Sequence, residues 1–382
     1  MRVIEPIDIE LIESNVPDSS ATAWDAETSF IAGQRVLVST SEGGETGIVH
    51  AEYCALRDNC GLYPPDYTDE AEGVKLEVSD TDDASGFALG EMVSSPTGSG
   101  YVGQIVGTTG GYIIVISVTG NFVSNDTVTG ADSAHTATIS SSLSASLAAA
   151  WRDCGATNQW KMFDAMVSSQ TISDTEIDVC ISCDRCDTLV LLELECSRVL
   201  VEVTNNSTRE LVLSSTYDMR QDESASWSDY FFTGAQYKTS LCVSIPLYSS
   251  ASARIVISND ESASRCGHVV AGKAQYLGPS QWSPTVGISD YSEKTILDEG
   301  VTRLVRGEWA KEVSVDLQIE TTAASSLQRR LAGYRGHPCV WDCNNDSTEY
   351  DALIVYGYYS DFSIVIPGPV VSACSLTIQG LI

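Results

Sequence analysis

Three cysteines at 180, 183 and 186 are spaced CxxCxxC, a clustering with which thiolates hold zinc or an iron–sulfur cluster. Cys196, Cys339 and Cys343 are the candidates for a fourth ligand. No CxxxCP continuation follows, and the run opens on a strand pattern at Ile177, Val179 and Ile181. Small buried or loop thiols are therefore the expectation, with no metal and no cofactor assigned. The four histidines, His50, His135, His268 and His337, are scattered and none falls in an HExxH pattern. There is no GxSxG elbow, no Walker loop and no GxGxxG leading into a helix, so the usual nucleophile and phosphate-binding devices are missing. With 52 Asp and Glu residues, close carboxylate pairs must occur somewhere, and a pair suited to glycoside hydrolysis carries no information. The acidic stretch 80–83 has the oxygen donors calcium requires, but an acid count alone is weak ground for a site. The expectation is a protein that is not an enzyme.

The aromatic residues carry more. Trp24, Phe30, Gly33 and Val36 are followed by Tyr53, Ala55, Asn59, Gly61 and Pro64. This order resembles the small chitin-binding type of carbohydrate-binding module over about 50 residues. Such modules usually close with a Trp shortly afterwards. Here the candidate is Trp151, beyond a long interruption, and Phe30 stands where Tyr is usual. The resemblance implies exposed rings that stack on the apolar faces of pyranoses while neighbouring polar groups bond the hydroxyls. It makes Trp24, Tyr53, Tyr63 and Trp151 the candidate sugar contacts. The other reading makes Trp24, Tyr53 and Trp151 the core of a miniature fold.

Strand signals dominate the elements that would position these residues. Segments 35–39, 111–118, 189–194, 199–204, 253–258, 311–319 and 353–359 are β-branched or alternating, bounded by Gly, Asn, Asp and Ser. Only 324–334 and 144–151 read as short helices, and Gly43-Gly44 and Gly110-Gly111 read as hairpin turns. The fold class expected is all-β, with multi-domain antiparallel β-sandwich or jelly-roll units and an inserted small β-domain. Four segments are expected: 1–68, a carbohydrate-module-like unit completed by about 147–163; 69–146, the inserted β-domain; 164–278, a jelly-roll-like sandwich; and 279–382, a C-terminal β-domain. The inserted segment carries a loose repeat, in which Phe87-Ala-Leu-Gly-Glu-Met-Val is echoed by Phe122-Val-Ser-Asn-Asp-Thr-Val 35 residues later. Its edges, 66–72 and 140–146, read as surface linkers. Trp160, Phe163, Trp227, Tyr230, Phe231 and Phe232 are apolar clusters beside polar loops, suited to a sandwich core or a subunit interface.

A formal net charge of −31 over 382 residues repels phosphate backbones, which argues against nucleic acid as a partner. Apolar stretches such as 112–118 are too short to span a bilayer, so no membrane insertion is expected. The first residues have no apolar h-region and no small-residue cleavage site, and synthesis in a host cytoplasm without a signal peptide is the expectation. Several segments resemble, in order, stretches that recur in tailed-phage virion proteins. They are Trp151-Arg-Asp-Cys-Gly-Ala-Thr-Asn-Gln-Trp-Lys-Met-Phe-Asp164, Cys266-Gly-His-Val-Val-Ala-Gly272, Gly287-Ile-Ser-Asp-Tyr-Ser-Glu-Lys294, Arg335-Gly-His-Pro-Cys-Val-Trp341 and Ser375-Leu-Thr-Ile-Gln-Gly-Leu-Ile382. The inserted segment also resembles Phe-x-x-Gly-Glu repeats of phage structural proteins. The resemblance implies a virion component of the tail tip or baseplate that forms a homo-oligomer, meets other tail proteins and touches host surface polysaccharide. The alternatives are a glycan-binding adhesin module and a polysaccharide depolymerase.

Overall fold

The computed structural model describes residues 1–40, 49–164, 166, 168–221, 236–260, 262–281, 284–296, 302–344 and 350–381. The Gly43-Gly44 turn and the aromatic residues Trp227, Tyr230, Phe231 and Phe232 lie outside the described residues. The fold is all-β, built from several antiparallel sheets. Among the described residues the one α-helix is Ala324–Gly333. It forms where the sequence has Ala324, Leu327 and Leu331 on one face, and those three side chains are buried.

The chain divides into two compact units. Unit 1 comprises Met1–Asp18, Ser41–Val49 and Asn158–Ile382, and unit 2 comprises Ser19–Thr40 and His50–Thr157. In unit 1 a nine-stranded sheet runs in the order Leu241–Ser244, Thr188–Leu192, His268–Tyr276, Arg2–Pro6, Cys339–Asp342, Ile354–Val365, Val371–Gly380, Trp309–Glu320, Thr285–Asp290. A second sheet orders Glu210–Asp218, Arg198–Asn205, Ala251–Ser258, Glu176–Ser182 and Leu11–Ser14. Period-two alternation explains the packing. Ile177, Val179 and Ile181, Val199, Val201 and Val203, and Ala253, Ile255 and Ile257 face one core, which Leu189, Leu191, Val269 and Ala271 enter from the larger sheet. That arrangement is a β-sandwich. Farther along the larger sheet, Val313, Val315, Leu317 and Trp341 pack with Leu327 and Leu331 of the helix.

Strand pairing divides the chain differently from four successive segments. Residues 1–18, assigned by sequence to the first module, belong to unit 1. Ile4 pairs with Ala274 on one side and Val340 on the other. The segments 164–278 and 279–382 contribute strands to the same nine-stranded sheet. A strand with β-branched residues on both faces, as Arg2-Val-Ile-Glu-Pro6 is, gives no sign in sequence of which distant strands it will join.

In unit 2, Ala71–Val78, Met92–Ser94, Gly98–Val106, Tyr112–Gly120, Thr127–Gly130 and Thr136–Leu147 form a closed barrel. Its interior holds Leu76, Val93, Val102, Ile113, Val115, Val128 and Ile139. The stretch 144–151, which reads as a helix, is instead the end of the long strand Thr136–Leu147, a break and the start of Trp151–Ala156. Pairing decides it: Leu143, Ala145 and Leu147 lie opposite Lys75, Gly73 and Ala71. Of the supposed linkers, 140–146 and the pair Ala71 and Glu72 belong to this same ladder, with Leu147 fully buried, while 66–70 are the end of the 3-10 turn Pro64–Tyr67 and the surface bend that follows it.

The internal repeat has a structural counterpart. Phe87 and Phe122 are both buried, as are Val93 and Val128. Gly90 and Asn125 occupy matching positions with φ of 80° and 71°, a left-handed turn that Gly and Asn tolerate best. Exchanging the first three strands of the barrel with the last three preserves every neighbour relation in it.

Candidate functional site

The four aromatic residues singled out by sequence all lie in unit 2, but not in one role. Trp151 is 0% exposed, and its indole Nε1 donates to the Leu62 carbonyl at 2.9 Å. Phe30 meets it edge-on at 5.3 Å between ring centres. Tyr53 is 5% exposed and belongs to the same cluster, with Val36, Val38, Ala51 and Leu62. Neither ring offers a face to a sugar in this conformation, and both serve the core of the four-stranded sheet Trp151–Ala156, Val49–Ala55, Arg35–Thr40 and Thr22–Ala23. Trp24 and Tyr63 are half-buried and meet edge-to-face, 5.0 Å apart at 70°. The Trp24 backbone N–H donates to the Leu37 carbonyl at 3.0 Å, which fixes the residue at the sheet edge. Its indole Nε1 is buried and has no hydrogen-bond partner among the described residues. Of the four candidates, this pair alone keeps ring surface near solvent.

The three cysteines of the run sit in different surroundings. Cys180 is half-buried on Glu176–Ser182, while Cys183 and Cys186 are buried in the sandwich core. The Cys186 thiol donates to the Cys183 carbonyl at 3.2 Å. The hydrogen bond between the two side chains and burial push the Cys183 thiol far up. Burial pushes Cys196 and Cys343 up to about 12 and Cys374 to about 11. These thiols are packing groups. No group of three or more His, Cys, Asp or Glu able to hold a metal ion occurs among the described residues. In the acidic stretch, the Asp82 carboxylate accepts from the Thr138 N–H at 2.7 Å and Asp83 from the Ser85 N–H at 2.8 Å. Both carboxyls are held below the ordinary range by those bonds, with Ser79 helping at Asp82 and the Ser85 hydroxyl leading at Asp83.

Glu91, in the Phe-x-x-Gly-Glu turn, is 2% exposed. It accepts from the backbone N–H groups of Ala88, Asp132 and Ser133 and from the Ser133 hydroxyl, at 2.6 to 3.1 Å. Burial works against the carboxylate, but these donors together outweigh it and hold its pKa below the usual value. The motif thus ties two turns of the barrel together.

Sequence reasoning missed an exposed apolar edge of unit 1. Thr285–Asp290 is the last strand of the nine-stranded sheet, and it leads into the hairpin Glu293–Ile296 with Thr302–Val305. Ile288 is 68% exposed and Leu304 69%, with Val286, Tyr291 and Val305 also exposed. Every described residue of the hairpin whose side chain is placed is exposed. The available signal was Thr-Arg-Leu-Val at 302–305, where adjacent apolar residues break the alternation of a half-buried strand. A second such feature is the turn 365–371, Val-Ile-Pro-Gly-Pro-Val-Val, whose valines and isoleucine are exposed.

No family model matches the chain, and no curated protein matches it. Among solved structures, one described as a structure of allantoicase aligns with 71% of this chain and 93% of its own at 8% identity, with a TM-score of 0.17. A likeness so slight carries no argument about fold or activity.

Proposed function

We propose that this chain is a non-enzymatic structural component of a phage tail tip or baseplate, which assembles with copies of itself and with other tail proteins and touches host surface polysaccharide. The observation that carries the assembly part is the solvent-facing edge strand Thr285–Asp290 with its exposed hairpin. Edge strands present unpaired backbone groups, and a two-stranded ribbon is marginal alone in water. Ile288, Tyr291, Leu304 and Val305 are suited to burial against a neighbouring subunit. The ordered run of virion-like segments through residues 150–382 supports the placement in a tail. The non-enzymatic reading rests on the lack of an HExxH, GxSxG or Walker pattern in the sequence.

Immunogold electron microscopy of purified particles, with an antibody to this chain, tests the placement. Gold at the tail tip is expected. Unlabelled particles with the protein free in the lysate overturn the reading. A second reading, a glycan-binding adhesin, is favoured by the Trp24–Tyr63 pair. It requires Trp24→Ala to weaken glycan retention while assembly is kept.

A further inference from the structure

A cleft of about 150 Å³ opens in unit 1. Its floor is apolar, made by Leu192, Ile354, Tyr356 and Leu381. Its rim is polar and carries Gln170, Glu193, Trp309 and Lys311. The strands that bring them together are far apart in the sheet. Thr188–Leu192 and Trp309–Glu320 stand six places apart in the nine-stranded order, yet Lys311 Nζ lies 3.7 Å from the Glu193 carboxylate. The Gln170 amide donates to the Glu193 carbonyl at 3.3 Å, and the Leu381 N–H donates to the Tyr356 carbonyl at 2.9 Å. The rim and floor are thus anchored before any ligand arrives, as binding sites generally are.

Four properties define what fits. Trp309 is 47% exposed, an indole held half in water beside an apolar floor. A flat aromatic face of this kind accepts the C–H face of a sugar ring. The carboxylate, ammonium and amide on the rim supply both acceptors and donors for ring hydroxyls. A cavity of about 150 Å³ is enough for one benzene-sized ring. Among the ionised groups lining the cleft, Glu193 and Glu308 outnumber Lys311, on a chain with a net charge of −31, so an anionic sugar is repelled. Behind the floor sits a polar group without a protein partner. His268 lies opposite Leu192 in the ladder and packs against Tyr356 at 4.7 Å. It is 1% exposed, and neither ring nitrogen has a hydrogen-bond partner among the described residues.

We propose that this cleft binds a single pyranose ring of a neutral or amino sugar, stacked on Trp309 and hydrogen-bonded by Glu193, Lys311 and Gln170. The inference deepens the glycan-contact part of the function proposed above. It stands apart from the placement in a tail, because it is read on purified protein rather than on particles.

The test titrates the full chain with the methyl glycosides of glucose, galactose, glucosamine and N-acetylglucosamine, and with methyl glucuronide, by saturation-transfer NMR and tryptophan fluorescence. At least one neutral or amino glycoside is expected to bind in the millimolar range, and the glucuronide more weakly. Trp309→Ala should weaken that binding about tenfold or more, and Glu193→Gln should weaken it too, while Trp24→Ala leaves it unchanged. Thermal unfolding accompanies each variant. If Trp309→Ala does not fold, Trp309→Phe and Glu193→Gln decide. Absence of binding to every glycoside, or binding unaltered by changes at both 309 and 193, overturns the proposal. Loss on Trp24→Ala with retention on Trp309→Ala also overturns it, and moves the sugar to unit 2.

Discussion

His268 makes the most direct residue-scale prediction. Burial lowers its pKa from the ordinary 6.5 to about 4, so the folded protein holds it neutral while the unfolded chain can protonate it. The stability linked to that neutral state is complete above about pH 6.5 and is lost progressively as pH falls toward 4, where the folded form protonates too. The window corresponds to about 3 kcal/mol at most. Melting temperature should therefore drop between pH 7 and 4, and His268→Phe should flatten that part of the profile. Glu91→Gln should destabilise unit 2 by about 1–3 kcal/mol, because a neutral amide replaces a carboxylate that holds two turns; urea unfolding measures it. Trp151→Ala should cost about 3–5 kcal/mol, whereas Trp24→Ala should cost less, being half-buried. Sequence spacing singled out Trp24, Tyr53, Tyr63 and Trp151 but left core and surface roles open. Trp151 lies inside the cluster that Trp24 covers half-buried, a difference of depth that spacing does not show, and Trp151 meets Phe30 across more than a hundred positions of chain.

At the scale of elements, the barrel and the exposed edge stand at opposite ends of legibility. The repeat at 87–93 and 122–128 was visible because each copy needs the same buried Phe and Val and the same left-handed turn at Gly90 or Asn125. The strand at 136–147 was misread in its last third because Ser-Ala-Ser-Leu has no strong strand formers and owes its conformation to pairing with 71–74. The edge Thr285–Asp290 went unread as a surface, since β-branched residues look the same whether a sheet or water lies beside them. Ile288→Glu combined with Leu304→Glu is expected to abolish self-association while leaving the melting temperature within a few degrees of wild type. Analytical ultracentrifugation of both proteins checks it, and an unchanged sedimentation profile would rule this edge out as the contact.

For the whole molecule, the net charge of −31 bears on the assembly proposed above. Like-charged copies repel one another, so the proposed self-association requires apolar and main-chain contacts to supply the attraction, and screening should help them. Raising salt from about 0.05 M to about 0.5 M should shift sedimentation toward larger species; dissociation on adding salt would point instead to ion-paired contacts. The all-β class was plain from the density of alternating segments, but the division into two units was not, because it depends on which strands meet. Arg2–Pro6 lies between His268–Tyr276 and Cys339–Asp342, so a strand made before the whole of unit 2 is placed in its sheet by partners made long after it. Until residue 342 has been made, this strand has no neighbour on one side, while unit 2, which ends at Thr157, can already be complete. Chains arrested before residue 339 should therefore carry a protease-resistant unit 2 and a protease-sensitive Arg2–Pro6, and translation must pass residue 342 before unit 1 can close.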